Sequence, residues 1–406
     1  MSYLTFVLQE RKLLSFGVSL TFFSSFGQTF LISLFVPFFL DAFVLSNAGF
    51  GTMYSLATLI SAASLPWLGQ WIDRIPLRWY SLWVAVGLLF ASLIVMVSWH
   101  LSVLFLGIIF LRLAGQGLSS HTAQTAMARF YDGQRGKALS VSSIGYPLGE
   151  AILPVLIAGL LALVHWRAAW GVIAICVGLI MIPLVYMLIG RDDSGTSNPA
   201  DSEETTDSAR ENYSKIFSDN RIWYLIPAVL LPPFWTTGLF LYQVSIASEL
   251  GWTAGLIATA FISFALFRIL GSIGIGPAID RFSAQSLFPF YMLPMIAGIA
   301  IPVFFSSSFS AFVYMGLLGV TMGVGGNIKS ALWAELFGSS MIGTVRSLFS
   351  SFMVFSTAIS PFMVGLLLDM QVPIEYMLIA GMASMLIAGL FSLRIHPRFS
   401  AQSTAT

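Results

Sequence analysis

At 406 residues, with 57% hydrophobic and only 9% charged side chains, the chain lies far from a water-soluble domain, which carries about 45–50% apolar and about 25% charged residues. A formal net charge of +1 offers no field for a nucleic acid or an acidic partner. The single cysteine, Cys176, excludes an intrachain disulfide and any multi-cysteine metal site.

The solvent for most of this chain is therefore lipid. A membrane helix needs about 20 mostly apolar residues. Apolar runs between charged or turn-rich breaks give twelve of them, over 14–40, 48–70, 79–98, 101–129, 138–163, 168–190, 222–247, 253–276, 286–305, 309–335, 343–368 and 373–394. The first follows Glu10, Arg11 and Lys12. It is too long for a signal-peptide core and lacks a small-residue cleavage site, so it is expected to be retained. Between the sixth and seventh runs, the stretch 191–221 collects Asp192, Asp193, Glu203, Glu204 and Glu211 among Ser, Thr and Gly. Such a composition buries too little apolar area to fold alone and predicts a flexible cytoplasmic linker. It would separate a six-helix bundle over 1–190 from a second over 222–406.

Positive charge orients the spans, because short cytoplasmic loops accumulate Lys and Arg. With both termini inside, the outer loops hold only Arg167, three residues (Arg112, Arg268 and Lys329) fall within spans, and the rest of the 19 Lys and Arg lie on the cytoplasmic side. Moving the span count by one destroys this asymmetry.

The two halves repeat. Gly69-Gln-Trp-Ile-Asp73-Arg74 returns as Gly276-Pro-Ala-Ile-Asp280-Arg281, and Ala151-Ile152-Leu-Pro154 as Ala358-Ile359-Ser-Pro361. Gly136 and Gly343 keep the same offset. Two six-helix lobes in parallel orientation are the design of transporters that rock one bundle against the other around a midplane site.

Gly69-x-x-x-Asp73-Arg74-x-x-x-Arg78 resembles the loop signature of the major facilitator superfamily. Arg112-x-x-Gly115-x-Gly117 and Gly145-Tyr-Pro147-Leu-Gly149-Glu150 resemble its fourth- and fifth-helix motifs, with Tyr146 and Glu150 as departures from the latter. The resemblance covers the whole chain and implies an all-α fold of 12 transmembrane helices in two pseudo-symmetric bundles, with helices one, four, seven and ten lining the pathway. It also implies that Asp73, Arg74, Arg78, Asp280 and Arg281 form a gate of charge pairs; plain positive-inside topology is the other reading.

Arg112 lies about 16 Å along its helix from Leu101, a depth at which a charge costs at least ~2.5–3.5 kcal/mol and faces a cavity or a partner. Glu150 falls at a similar depth on the next helix, so an Arg112–Glu150 pair is expected, as a proton-linked switch or as a static brace. Arg268, in Phe264-Ala-Leu-Phe-Arg268, has no acid in its own helix, and a guanidinium there suits a carboxylate. This helix is similar to that of the monocarboxylate porter branch, in which an Arg binds the substrate; an Arg268–Glu335 pair is the alternative. Asn327 and Lys329 follow Gly325-Gly326 and either reach the cavity or serve the inner interface. Gln28 and Gln243 are candidates for substrate hydrogen bonds or for helix–helix contacts. Pro232-Pro233 is expected to open the hydrogen-bond ladder of the seventh span and free carbonyls near the pathway.

The functional expectation is a secondary active transporter (a symporter) working by alternating access in the cytoplasmic membrane. It would move a small organic anion, a monocarboxylate foremost, with a proton; proton-driven efflux of lipophilic compounds is the alternative. No phosphate-cradling Gly-x-x-x-x-Gly-Lys run, nucleophile–base cluster or metal spacing occurs, so no ATP, cofactor, metal or catalytic residue is expected. A monomer is expected.

Overall fold

The computed structural model describes residues 3–189, 216–305, 307–338 and 341–395. Among them every regular element is helical, as lipid demands of a backbone that must satisfy its own polar groups. Among the described residues eleven helices are long and apolar enough to cross a bilayer, and a pair bent by 45° supplies a twelfth span. In chain order they are α1 (Arg11–Gly27 and Thr29–Phe43), α2 (Asn47–Asp73), α3 (Leu77–Met96), α4 (Leu101–Phe130), α5 (Arg135–Leu161), α6 (Trp166–Leu188), α7 (Arg221–Leu241), α8 (Ala254–Phe282), α9 (Ala284–Phe304), α10 (Ser308–Phe337), α11 (Thr344–Asp369) and α12 (Ile374–Ile395). These are the twelve expected segments.

The chain divides into two compact units, Met1–Ala200 and Asp201–Thr406. Most of the expected linker, 191–215, lies outside the described residues. Its last residues are folded. Ile216 is fully buried, and Arg221 holds Asp219 through Nε at 2.9 Å and Nη2 at 2.6 Å while also donating to Leu336 O at 3.4 Å. A buried apolar side chain and a local ion pair thus order this end, and the Arg221 hydrogen bond ties it to α10, where a polar composition suggested flexibility.

In the first unit, Ser46 starts α2 by accepting from Gly49 N at 3.0 Å, the usual way a hydroxyl satisfies an orphan N–H at a helix start. Ser61 of α2 donates to Ile109 O of α4 at 2.8 Å. In α5, Gly145 and Gly149 press against α1, Gly149 within 3.1 Å of the Ser25 side chain if it carried a Cβ.

The second unit repeats the scheme. Ser263 of α8 donates to Phe312 O of α10 at 2.9 Å, the counterpart of Ser61–Ile109, and Thr253 caps α8 through Leu256 N at 3.1 Å. Ser356 and Ser360 of α11 donate to Leu230 O and Phe234 O of α7. Along α10, Gly316, Gly319 and Gly323 bring two backbones into contact. A Cβ on Gly319 would stand 3.1 Å from Arg268 N, and one on Gly323 2.9 Å from Ser272 N. Small residues at such a seam are how membrane helices gain close packing without a hydrophobic driving force.

The α7 ladder contains Pro227, Pro232 and Pro233, yet the helix runs unbroken over Arg221–Leu241. Pro232 removes the N–H that would bond Ala228 O. The Tyr291 hydroxyl, from the segment preceding Leu293, donates to that oxygen instead. The freed carbonyl is therefore taken up inside the bundle and does not stand open to a pathway.

Candidate substrate site

The first unit builds its polar centre where two helices each abandon regular geometry. α1 tightens at Ser24–Gly27, and Gln28 is extended, with φ −83° and ψ 150°. Opposite, α4 widens into π-helical turns over Leu111–Ser119, a feature that often marks functional sites. The two meet backbone to backbone, so that a Cβ on Gly115 would lie 2.8 Å from the Gly27 Cα. With the ladder open at Gln28, Gly27 O is left to accept a hydrogen bond from Arg112 Nη1 at 3.2 Å. Thr29 Oγ1 accepts a second at 3.4 Å and shares a hydrogen bond of 2.8 Å with Tyr54 Oη. The Tyr54 ring lies 5.1 Å from the guanidinium carbon. Arg112 Nε is buried without a partner, as are Ser25 Oγ and Thr58 Oγ1.

Gln28 and Arg112 are thus brought together, since Gln28 sits between the two residues that accept from the guanidinium. Among the described residues Arg112 meets Gly27 O, Thr29 and Tyr54 in place of the expected Glu150. Glu150 is nonetheless buried, at 7% exposure. The break at Gln28 leaves Gly27 O as a neutral acceptor for the guanidinium, one that the sequence pattern does not advertise.

In the second unit the cations are held differently. Lys329 Nζ lies 5.9 Å from the Tyr291 ring centroid, and Gly325 leaves room for that ring, since a Cβ there would meet Tyr291 Cε2 at 2.9 Å. No acid contacts Lys329 among the described residues. Arg268 is half-buried on α8, at the seam with Gly319 and Gly323. Its alternative partner, Glu335, is committed elsewhere. The two Glu335 oxygens accept from Ala284 N and Gln285 N, each at 2.8 Å, capping the start of α9 where a carboxylate complements the helix dipole. Asn327 spends its amide on Ser272, donating to the carbonyl at 2.7 Å and the hydroxyl at 3.1 Å. Gln243 opens the short helix Gln243–Glu249 beyond α7 and is 4% exposed.

Of the expected gate residues, Asp73 bonds to Arg129 of α4, which also donates to Ile72 O at 3.3 Å. Arg74 reaches Gln70 at 3.4 Å, and Arg78 stacks 3.7 Å from the Tyr186 ring centroid of α6. Asp280 is exposed, and Arg281 lies over the Phe282 ring at 5.1 Å. Each contact is local to its own unit. Neither Tyr54, Tyr291 nor Arg129 stands out in the sequence as a site residue; the available signal for the two tyrosines is that a phenol within a span needs an acceptor.

Two six-helix units with cations set on broken or glycine-seamed helices define a multi-pass membrane transporter. The family model of the Major Facilitator Superfamily matches residues 18–244, and the chain belongs to that superfamily. Its fold is similar to a bacterial homolog of the human lysosomal transporter Spinster, solved inward-facing and unoccupied. That match has a TM-score of 0.72 at 14% identity, over 97% of this chain and 98% of that one. The nucleoside transporter NupG gives 0.70 at 13% identity, over 97% and 98%. A POT family transporter in complex with 5-aminolevulinic acid gives 0.72 at 17% identity, over 95% and 96%. At such identities the likeness is one of fold. No curated protein matches the chain. The family and its structural relatives make this a transporter of small molecules and not an enzyme.

Proposed function

We propose that the chain moves a small organic anion, a monocarboxylate foremost, together with a proton, by alternating access in the cytoplasmic membrane with both termini inside. The observation that carries this reading is that, among the described residues, the cations Arg112 and Lys329, set within membrane spans, have no acid among their partners. Such charges are expensive in a bilayer and are kept where they meet a substrate or an ion. A carboxylate supplies the missing counter-charge, and a guanidinium or ammonium binds it with charge-assisted hydrogen bonds. Arg112, Gln28 and Thr29 form the contact set in the first unit; Lys329 and Arg268 are the candidates in the second. Gln243, buried beyond α7, completes the polar candidates. Glu150, a buried carboxyl on α5, is the group proposed to carry the coupling proton. Asp73, Arg74, Arg78, Asp280 and Arg281 are proposed to work as gate elements.

Uptake of labelled monocarboxylates into proteoliposomes, with and without an inward proton gradient, tests this. Accumulation that follows the gradient and disappears in Arg112→Met is the expected result. Absence of carboxylate uptake, with proton-driven efflux of lipophilic or drug-like compounds, overturns it in favour of the efflux reading. Glu150→Gln is expected to keep binding but lose the dependence on the gradient.

A further inference from the structure

A short helix precedes α1, over Tyr3–Gln9. Phe6, 1% exposed, anchors it by meeting the Tyr131 ring edge-on at 5.3 Å, and Tyr131 Oη donates to Glu10 at 3.1 Å. Lys137 Nζ stands 6.0 Å from the centroid of the same Phe6 ring. Between this helix, α1, α5 and α6 runs a groove of about 370 Å³.

The groove is divided along its length. Leu14, Val18, Val141 and Leu184 make an apolar bed, with Val7 from the short helix. Arg11, Ser15 and Ser19 also line it, and their spacing of four places them on one stripe of α1. Ser19 Oγ is used within the helix, donating to Ser15 O at 2.7 Å. Among the described residues Ser15 Oγ makes no hydrogen bond, and neither Arg11 nor its neighbour Lys12 makes a hydrogen bond or ion pair. Both basic side chains are exposed. Val18 lies seven residues beyond Arg11, about 10 Å along the helix. One end therefore presents two uncommitted cations and a free hydroxyl, and the other presents hydrocarbon.

The geometry points to a binding site for an anionic phospholipid, separate from the transport centre at Arg112. The phosphate is held by Arg11, Lys12 and Ser15, and one acyl chain lies along Leu14, Val18, Val141 and Leu184. A zwitterionic lipid satisfies the apolar bed but leaves the paired cations without net counter-charge. A soluble phosphate satisfies the cations but leaves the bed empty. Basic clusters beside membrane helices select anionic headgroups for this reason.

The test is native mass spectrometry of the full chain, released from detergent micelles containing phosphatidylglycerol and phosphatidylcholine of matched acyl chains. One tightly retained phosphatidylglycerol per chain is expected, with phosphatidylcholine displaced. Arg11→Glu combined with Lys12→Glu should lower that retention at least ten-fold. Val18→Trp, which fills the bed and leaves the charges alone, should lower it comparably. Thermal unfolding of both variants is read alongside, and Arg11→Gln serves as the milder charge variant should the double change impair folding. Equal retention of the two lipids, or retention unaffected by the charge variants, overturns the assignment. So does displacement of the lipid by glycerol phosphate at equal concentration, which would assign the site to a soluble anion.

Discussion

Arg112 and Lys329 are both cations inside membrane spans, one in each unit, and they are satisfied by different means. Arg112 is clamped by a backbone carbonyl, a threonine hydroxyl and a tyrosine ring at the point where α1 breaks. Lys329 rests against one aromatic face and nothing else among the described residues. A planar guanidinium with several fixed donors suits a bracing role, whereas an ammonium on a flexible stem is held by fewer fixed contacts. The two cations are not repeats of each other: at the offset that relates the halves, Gly319 stands at the place of Arg112 and Thr122 at that of Lys329. The shared repeat therefore carries the helices, and each unit places its own cation on them.

The largest effect is expected where two backbones touch. Gly27→Ala places a methyl against the Leu111–Gln116 backbone, with Gln116 N at 2.6 Å. Neither helix has a flexible side chain there to yield. Destabilisation of about 3 kcal/mol, the upper end for overpacking, is expected as a lowered midpoint in detergent thermal unfolding. An unchanged midpoint would show that the α1–α4 crossing is looser than its geometry.

Arg112 and Lys329 should then separate stability from binding. Arg112→Ala leaves Gly27 O buried without its donor, which costs about 1–3 kcal/mol of stability, in addition to abolishing uptake. Lys329→Gln should leave the unfolding midpoint unchanged. Losing a charge-assisted hydrogen bond worth about 1.5–3 kcal/mol should raise KM for the anion roughly 10- to 100-fold. Equal losses of stability in the two variants would erase the distinction between the units.

A finer effect concerns how Lys329's neighbour is held. Tyr291→Phe keeps the ring beside Lys329 but strips the donor from Ala228 O, at a cost of about 1 kcal/mol. Pro232→Ala returns a backbone N–H to the same carbonyl. In that background Tyr291→Phe should cost markedly less, and a double-mutant cycle on thermal midpoints reads the coupling directly. Additive effects would mean that the tyrosine does not serve as the substitute donor.

The twelve spans are legible in the sequence because hydrophobic length alone sets them, and the repeat is legible because Gly-x-x-x-Asp-Arg is a local pattern. The partners of the buried charges are not. Pairing Arg112 with Glu150 follows from depth on adjacent helices, but the actual acceptor is the carbonyl of Gly27, which exists only because Gln28 is extended. Backbone acceptors leave no mark on composition, since every residue has one. Glu335 is similar: depth makes it a partner for Arg268, while its place at the start of α9 gives it two backbone N–H donors at once. Sequence thus exposes which side chains are costly to bury, and the folded backbone decides what relieves them.

The smallest expected effect lies outside the membrane spans, at the folded end of the 191–221 stretch. Partial burial pushes the Asp219 carboxyl up, but the side-chain and backbone hydrogen bonds from Arg221, with its charge, outweigh that and hold the pKa below the ordinary carboxylate value. A depressed folded-state pKa contributes stability above the unfolded value of about 3.9, and that contribution fades as the pH falls through the lower folded value. The Arg221 side chain is 45% exposed, so solvent screening keeps the contribution small. The thermal midpoint should therefore fall slightly more steeply below pH 4 in the parent chain than in Asp219→Asn, with the two curves closest at the acid end. Parallel curves throughout would show that Ile216 alone anchors this segment and that the ion pair adds nothing.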